Sequence, residues 1–285
     1  MKKSLANGIG RFVRRLAAAT FVAALMAITP AAHAAEPQTI EAGTLVIGSD
    51  LVYPPYDYME NGEAKGFDAD LMALIAPQLG LKLRFEDTRF ASLISGLRAK
   101  RFDLIASALY ITPERAEVID YVPYATTGGS LVVRKDDAFS PKAPADLCGK
   151  RVGTLKGAAW VPGLKKVSDA TCAANPMTIQ EFATSAEAAQ ALLALGVDVE
   201  FDDAGVAKAT VDASGGRLRI TSDEILFPVV MGLGIAKGND ALVAALKQAF
   251  EKVKEDGQLA PLLTKYNLAE PSQEAIKAAF TAKSE

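Results

Sequence analysis

Histidine is nearly missing from this 285-residue chain: His33 is the only one. It lies in an N-terminal stretch that reads as a removable secretory signal. Residues 1–15 carry Lys2, Lys3, Arg11, Arg14 and Arg15 and no acid, and an uncharged run, LAAATFVAALMAI, follows over residues 16–28. Thr29-Pro30 and the small-residue stretch around Ala32-His33-Ala34 complete the pattern, with cleavage expected after Ala34. The Arg14-Arg15 pair leaves the twin-arginine route open as an alternative to ordinary secretion. A mature chain without histidine excludes Ser-His and Cys-His catalysis and any His-ligated metal centre. Neither a metal nor a cofactor is expected.

Long apolar runs are also missing. The run at 16–28 falls short of the roughly 20 residues that span a bilayer, and no second one occurs, so the mature chain reads as soluble. Positive charge is scarce as well. Cleavage removes five bases and no acid, leaving 26 bases against 34 acids, about −8. Such a surface argues against nucleic acid as a partner. Cysteine is limited to Cys148 and Cys172. In an oxidising compartment two such residues pair; the competing reading is two buried free thiols. No further Cys or His exists to complete a metal site.

What is present alternates short apolar runs with amphipathic stretches, the mark of an α/β architecture. Strands are expected at 44–49, 81–85, 103–107, 130–134, 151–155, 177–182, 197–201, 217–221 and 231–236. Helices are expected at 68–78, 90–99, 186–195 and 240–255, each with apolar residues three to four apart, and a last one from 272 towards 282. No internal repeat or low-complexity segment interrupts this order. Residues 125–129 (ATTGG) and 226–230 (LFPVV) each precede a similar strand and flank the block that holds both cysteines. If the chain leaves a first lobe at the former and returns at the latter, the block is an inserted second lobe and the two crossings form a hinge. Ligand clefts favour such interfaces.

The sharpest local signal is Ile111-Thr112-Pro113-Glu114-Arg115. Thr112 reads as an N-cap and Pro113 as the first helical residue, placing Arg115 where an anion would meet a guanidinium and a positive helix end together. The plainer alternative is a solvated arginine or a pair with Glu114 or Glu117. Asp50 and Asp203 each follow a strand, where ligands collect in open α/β sheets, although aspartate after a strand is also a common turn former or cap. Lys156-Gly157-Ala158-Ala159 could open a helix whose N–H groups bind an anion. Tyr53, Tyr56, Phe90, Tyr110 and Trp160 cluster along the same segments, each singly more in keeping with packing than with ligand contact.

Taken in order, the segments GTLVIGSDLVYPPYDY, GEAKGFDADLMALIAPQLG, FASLISGLRAKRFDLIASALYITPERAEVIDYVPY, LVVRKDD, DLCGKRVGTLKG, EAAQALLALGVDVEFDD, GLGIAKGND and EDGQLAPLLTKYNL resemble the family 3 extracellular solute-binding proteins, the periplasmic polar amino-acid receptors of ABC importers. The resemblance implies an α/β, two-lobed periplasmic binding protein (Venus-flytrap) fold with the second lobe inserted in the first and a two-strand hinge. It places the signal at 1–34, the first lobe at 35–126 and 230–285, and the second at 127–229. It implies a periplasmic, monomeric binding protein that hands a small solute to a membrane permease. Residue by residue, Arg115 stands where a guanidinium clamps the ligand carboxylate and Asp203 where a carboxylate receives the ammonium. Asp50, Tyr53 and Phe90 match the first-lobe lining, and Ser107, Ala108 and Tyr110 the polar stretch before the arginine. The chain departs from the pattern at Tyr110, where a small residue is usual. It departs again at Ala158 and Ala159, where Ser or Thr is usual, and at Trp160, where a polar residue is common. These departures suggest a smaller or more apolar pocket. Two other expectations stand beside transport. One is an enzyme of the cyclohexadienyl or arogenate dehydratase type, with Asp50, Asp202 or Asp203 as general acid. The other is a sensor or accessory module.

Overall fold

Strand β1 (Thr44–Ser49) is buried over five of its six residues and opens the sheet. The chain then makes a small antiparallel excursion, β2 (Val52–Tyr53), β3 (Asp57–Glu60) and β4 (Glu63–Lys65). The computed structural model describes residues 37–281; the expected signal at 1–34 lies outside the described residues. Helix α1 (Phe67–Leu79) buries Phe67, Leu71, Met72 and Ile75 and stops at Gly80, whose φ of 65° closes the helix in the left-handed conformation. Strand β5 (Lys82–Asp87), helix α2 (Leu93–Arg98), strand β6 (Leu104–Ile105) and the one-turn helix α3 (Pro113–Ala116) lead to the long strand β7 (Ile119–Arg134).

A second run of alternating elements follows: β8 (Arg151–Leu155), α4 (Val161–Ala170), β9 (Thr178–Phe182), α5 (Ser185–Leu193), β10 (Val199–Asp203), α6 (Ala204–Ala213) and β11 (Leu218–Ile220). Helix α5 begins in a capping box, Thr184 accepting from Glu187 N while the Glu187 side chain reaches back. Strand β12 (Leu226–Ala236) returns along β7, and helices α7 (Asp240–Glu255), α8 (Leu259–Lys265) and α9 (Gln273–Thr281) close the described chain. Among the described residues no helix is long and apolar enough to cross a membrane.

The main sheet runs β5-β1-β6-β12-β7-β10-β8-β9, with β11 on β7. One wing, β5-β1-β6, and the other, β10-β8-β9, are each parallel and meet across the antiparallel β7–β12 ribbon. This is a two-lobed α/β fold in which the two ribbon strands carry the chain between wings. Separate apolar clusters back each wing: Val46, Leu93, Leu97 and Phe102 behind the first, Val132, Leu192, Val197 and Leu218 behind the second.

The expected strand at 130–134 starts eleven residues earlier, at Ile119, and that at 231–236 starts at Leu226, because the crossing segments stay paired to each other. Pairing continues from Gly234↔Tyr121 to Leu226↔Gly129 with a register break between Leu226 and Val229, where Pro228 supplies no N–H and Phe227 takes φ 47°. Gly129 is required at the crossing, since a Cβ there would lie 2.3 Å from the Phe201 ring. The expected helix at 90–99 divides into a 3-10 turn, Phe90–Ser92, and α2. No helix opens at 156–159; α4 begins at Val161, with Pro162 in its first turn.

Cys148 and Cys172 are joined in a disulfide, 24 residues apart. Closing a loop of that length stabilises the fold by about 3 kcal/mol on the chain-entropy account. The Cys148→Ser/Cys172→Ser double variant is therefore expected to melt roughly 6–12 °C lower by scanning calorimetry. A melting temperature within a degree of the parent's would show that the cross-link adds nothing.

Candidate functional site

Strand β10 ends in two buried acids, Asp202 and Asp203, at the rim facing the first wing. Asp203 caps α6, its Oδ1 accepting from Gly205 N at 2.8 Å. Three hydroxyls from elsewhere in the chain reach the same carboxylate. Tyr56 donates to Oδ1 at 2.7 Å, Thr127 to Oδ2 at 2.9 Å, and Tyr110 makes a short bond to Oδ2. Gly205 admits Tyr56, since a Cβ there would lie 2.4 Å from the phenol oxygen. Tyr53 donates in turn to Asp202 Oδ1 at 2.9 Å, an atom that also accepts from Asp203 N at 2.7 Å.

Burial sets the electrostatics of this corner. It pushes Asp202 up to about 7, the Tyr53 hydrogen bond and others opposing and the Asp203 charge adding to the rise. Burial also raises Asp203, against hydrogen bonds from Tyr110, Tyr56, Thr127 and Gly205 that hold its ionised form. Loss of water and the neighbouring carboxylates push Tyr53, Tyr56 and Tyr110 well above the ordinary phenol range, so all three are donors at neutral pH. Glu200, two residues back on the same face of β10, is fully buried and raised by burial and then by Asp202.

Arg115 lies on the first wing and reaches Tyr110 from its other end, through the carbonyl. Thr112 caps its one-turn helix, accepting from Arg115 N at 3.3 Å. The guanidinium lies 5.5 Å from the Phe90 ring centroid and donates to Tyr110 O and to Gly157 O, both at 2.9 Å. Its fork therefore ties a first-wing carbonyl to a second-wing one. Burial lowers its pKa, yet an arginine starts so high that it stays charged.

Seven of the expected site residues share the walls of one small cavity: Tyr53, Phe90, Ala108, Tyr110, Ala158, Ala159 and Trp160, joined by Leu155. Its volume is about 10 Å³, room for roughly one water. Tyr110 and Trp160 fill the rest, their rings 5.5 Å apart edge to face, with Trp160 Nε1 donating to Thr154 Oγ1 at 2.6 Å. Arg115 and Asp203 flank this cavity through bonds to Tyr110. Behind the Tyr110–Trp160 pair lies an apolar cavity of about 490 Å³ that reaches Ile111, Phe227, Val229 and Ala275.

Two expected residues serve the neighbours of the cavity. The Asp50 carboxylate pairs with Arg89 at 2.7 Å and accepts from Phe90 N at 3.0 Å, so it acts as the cap of the 3-10 turn that presents Phe90. Burial pushes it up to about 6, with Arg89 opposing. Ser107 Oγ accepts from Asp50 N at 2.9 Å, and Ala108 N donates to Asp68 Oδ2 at 2.7 Å from a positive φ of 44°. Gly157 N is held by Glu181 at 3.2 Å, and Ala158 N by Leu155 O in a turn. The proposed row of free helix N–H groups at 156–159 does not form. Tyr56, expected singly to pack, bonds Asp203 instead, and Thr127, not among the expected site residues, joins it there; the YPPY spacing that pairs Tyr56 with Tyr53 is the local signal for the former.

Residues 45–269 match the profile of the bacterial extracellular solute-binding proteins, family 3. The chain belongs to that family. The histidine-binding periplasmic protein of Salmonella typhimurium is 30% identical over 89% of this chain and 97% of its own length. Among solved structures, an ancestral arginine-binding protein bound to arginine is 31% identical with a TM-score of 0.72–0.73 across its arginine and glutamine complexes, the arginine complex covering 79% of this chain and 98% of its own. The ancestral amino acid-binding protein AncCDT-1, described as a precursor of cyclohexadienyl dehydratase, is 29% identical with a TM-score of 0.69, covering 79% and 95%. These relatives are described as binding proteins. Within this solute-binding family the present chain places a phenol and an indole where its cleft narrows to about 10 Å³.

Proposed function

We propose that this chain is the periplasmic solute-capturing subunit of an ABC importer and that its solute is an amino acid or a related small zwitterion. The observation that carries the reading is the opposition of Arg115 and Asp203, a cation from one wing and an anion from the other, both bonded to Tyr110 at the cavity wall. Once Tyr110 withdraws and the wings part, a zwitterion would set its carboxylate on the guanidinium fork and its ammonium on Asp203. Phe90 and Tyr53 flank its side chain. Because the two charges come from different lobes, such a solute favours closure by its differential affinity for the closed form. The lobes divide at 126/127 and 229/230, within β7 and β12, and the protein acts as a monomer with a membrane permease as partner.

A thermal-shift panel tests this on protein unfolded and refolded to strip bound solute. It would hold the common L-amino acids, polyamines, opines and carboxylates. A solute at a hundred times its dissociation constant adds about 2.7 kcal/mol, roughly 5–10 °C in melting temperature. No rise with any amino acid or zwitterion would sink the assignment.

Asp202 supports a second reading. Burial pushes this carboxyl up to about 7, and it is bonded to the cavity-lining Tyr53; a dehydratase on this scaffold would need such a protonated acid. Incubation with prephenate or arogenate decides it: aromatic product would establish the enzyme, and its absence would remove that reading.

A further inference from the structure

We propose that the Tyr110 hydroxyl is an internal competitor for the solute's ammonium at Asp203, making Tyr110 the residue that sets selectivity against ammonium-bearing solutes. The inference rests on the amino-acid reading of the site above. Tyr110 touches both charged residues: its carbonyl accepts from Arg115 and its hydroxyl donates to Asp203. Asp203 is already saturated. Oδ1 takes Tyr56 and Gly205 N, while Oδ2 takes Tyr110 and Thr127. An ammonium reaching this carboxylate must displace a hydroxyl, and the Tyr110 bond is the one whose ring also occupies the cavity.

The same bonds hold the wings together. Tyr53, Tyr56 and Tyr110 belong to the first wing and donate to Asp202 and Asp203 of the second, and Arg115 adds its bond to Gly157 O. These ties stabilise the closed form on their own, so the fraction competent to admit a solute is reduced, and apparent affinity falls by that fraction. Tyr110 has room to yield, because its ring borders the 490 Å³ cavity as well as the small one.

Trp160 is the chain's only tryptophan, is buried against Tyr110, and therefore reports on closure. The test compares stripped wild type, Tyr110→Phe and Tyr56→Phe by Trp160 emission, acrylamide quenching and small-angle scattering. Tyr56→Phe removes a tie to the same carboxylate through a ring that packs on Tyr53, whereas the indole packs on Tyr110 and Phe201, which separates opening from a local effect on Trp160. Both variants are expected to red-shift the emission, increase quenching and enlarge the radius of gyration. Calorimetry with the L-amino acid that responds in the panel is expected to show about tenfold tighter binding to Tyr110→Phe. The α-keto acid with the same side chain should tighten less than the amino acid, only by the share due to opening alone, which Tyr56→Phe gives separately. Equal emission and equal radius in wild type and both variants would overturn the proposal, as would equal tightening for the keto acid. If the variants open but no amino acid binds any of the three proteins, the hydroxyls hold the wings without competing for an ammonium, and the amino-acid reading fails together with the proposal.

Discussion

Replacing Arg115 with alanine is expected to weaken solute binding at least 100-fold by calorimetry, with little loss of thermal stability. The guanidinium comes from the first wing beside the cavity, held over Phe90 and by Tyr110 O, both of which line it. A carboxylate arriving there loses a forked, charge-assisted contact, and truncating one partner of a buried charge pair costs about 2–5 kcal/mol. Arg115→Lys is expected to recover little, because a single ammonium cannot serve two carbonyls and a carboxylate in a plane. Folding should survive, since the residue sits on a one-turn helix at the rim and belongs to none of the apolar clusters. Affinity within about threefold of wild type would show that the carboxylate binds elsewhere.

The elements that the sequence discloses are those whose pattern is local. Helix α7 is readable because Leu242, Leu246, Ala249, Phe250 and Val253 recur at helical spacing and all are buried. Strands β2 to β4 are invisible, since two to four residues cannot display a period and their burial depends on what folds over them. The same limit governs the site. Asp50 and Asp203 look alike in sequence, each an aspartate at a strand end. Their roles separate only when Arg89 and Phe90 N arrive at the first, and Tyr56, Tyr110 and Thr127 at the second. Tyr56 lies 147 residues from its carboxylate, and no local pattern encodes that meeting. The departures at Tyr110 and Trp160 were legible as bulk; that the phenol would bond Asp203 itself was not.

Between pH 5 and pH 8 the stripped protein is expected to lose stability as pH rises, its melting temperature falling by roughly 5–10 °C. Asp50 and Asp202 are held up to about 6 and about 7 by burial, and Asp203 and Glu200 are raised in the same way. In the unfolded chain such carboxyls titrate near 4. Above that pH the native state binds more protons than the unfolded state, so the slope of stability against pH is negative until the native groups ionise in turn. For Asp202 alone the effect is about 2–4 kcal/mol. Carboxylates held low act in the opposite direction at the acid end, among them Asp198, bonded to Arg151. Their contribution is lost only as pH falls below about 4, which places the stability maximum near pH 5. Asp202→Asn isolates the effect. The amide oxygen can still accept from Tyr53 and from Asp203 N, while the group no longer ionises beside Asp203 and Glu200. The variant should therefore match or fall below wild type at pH 5, exceed it at pH 8, and show a shallower slope. A wild-type melting temperature that stays level or climbs from pH 5 to pH 8 would mean that Asp50 and Asp202 are ionised in the native protein across that range.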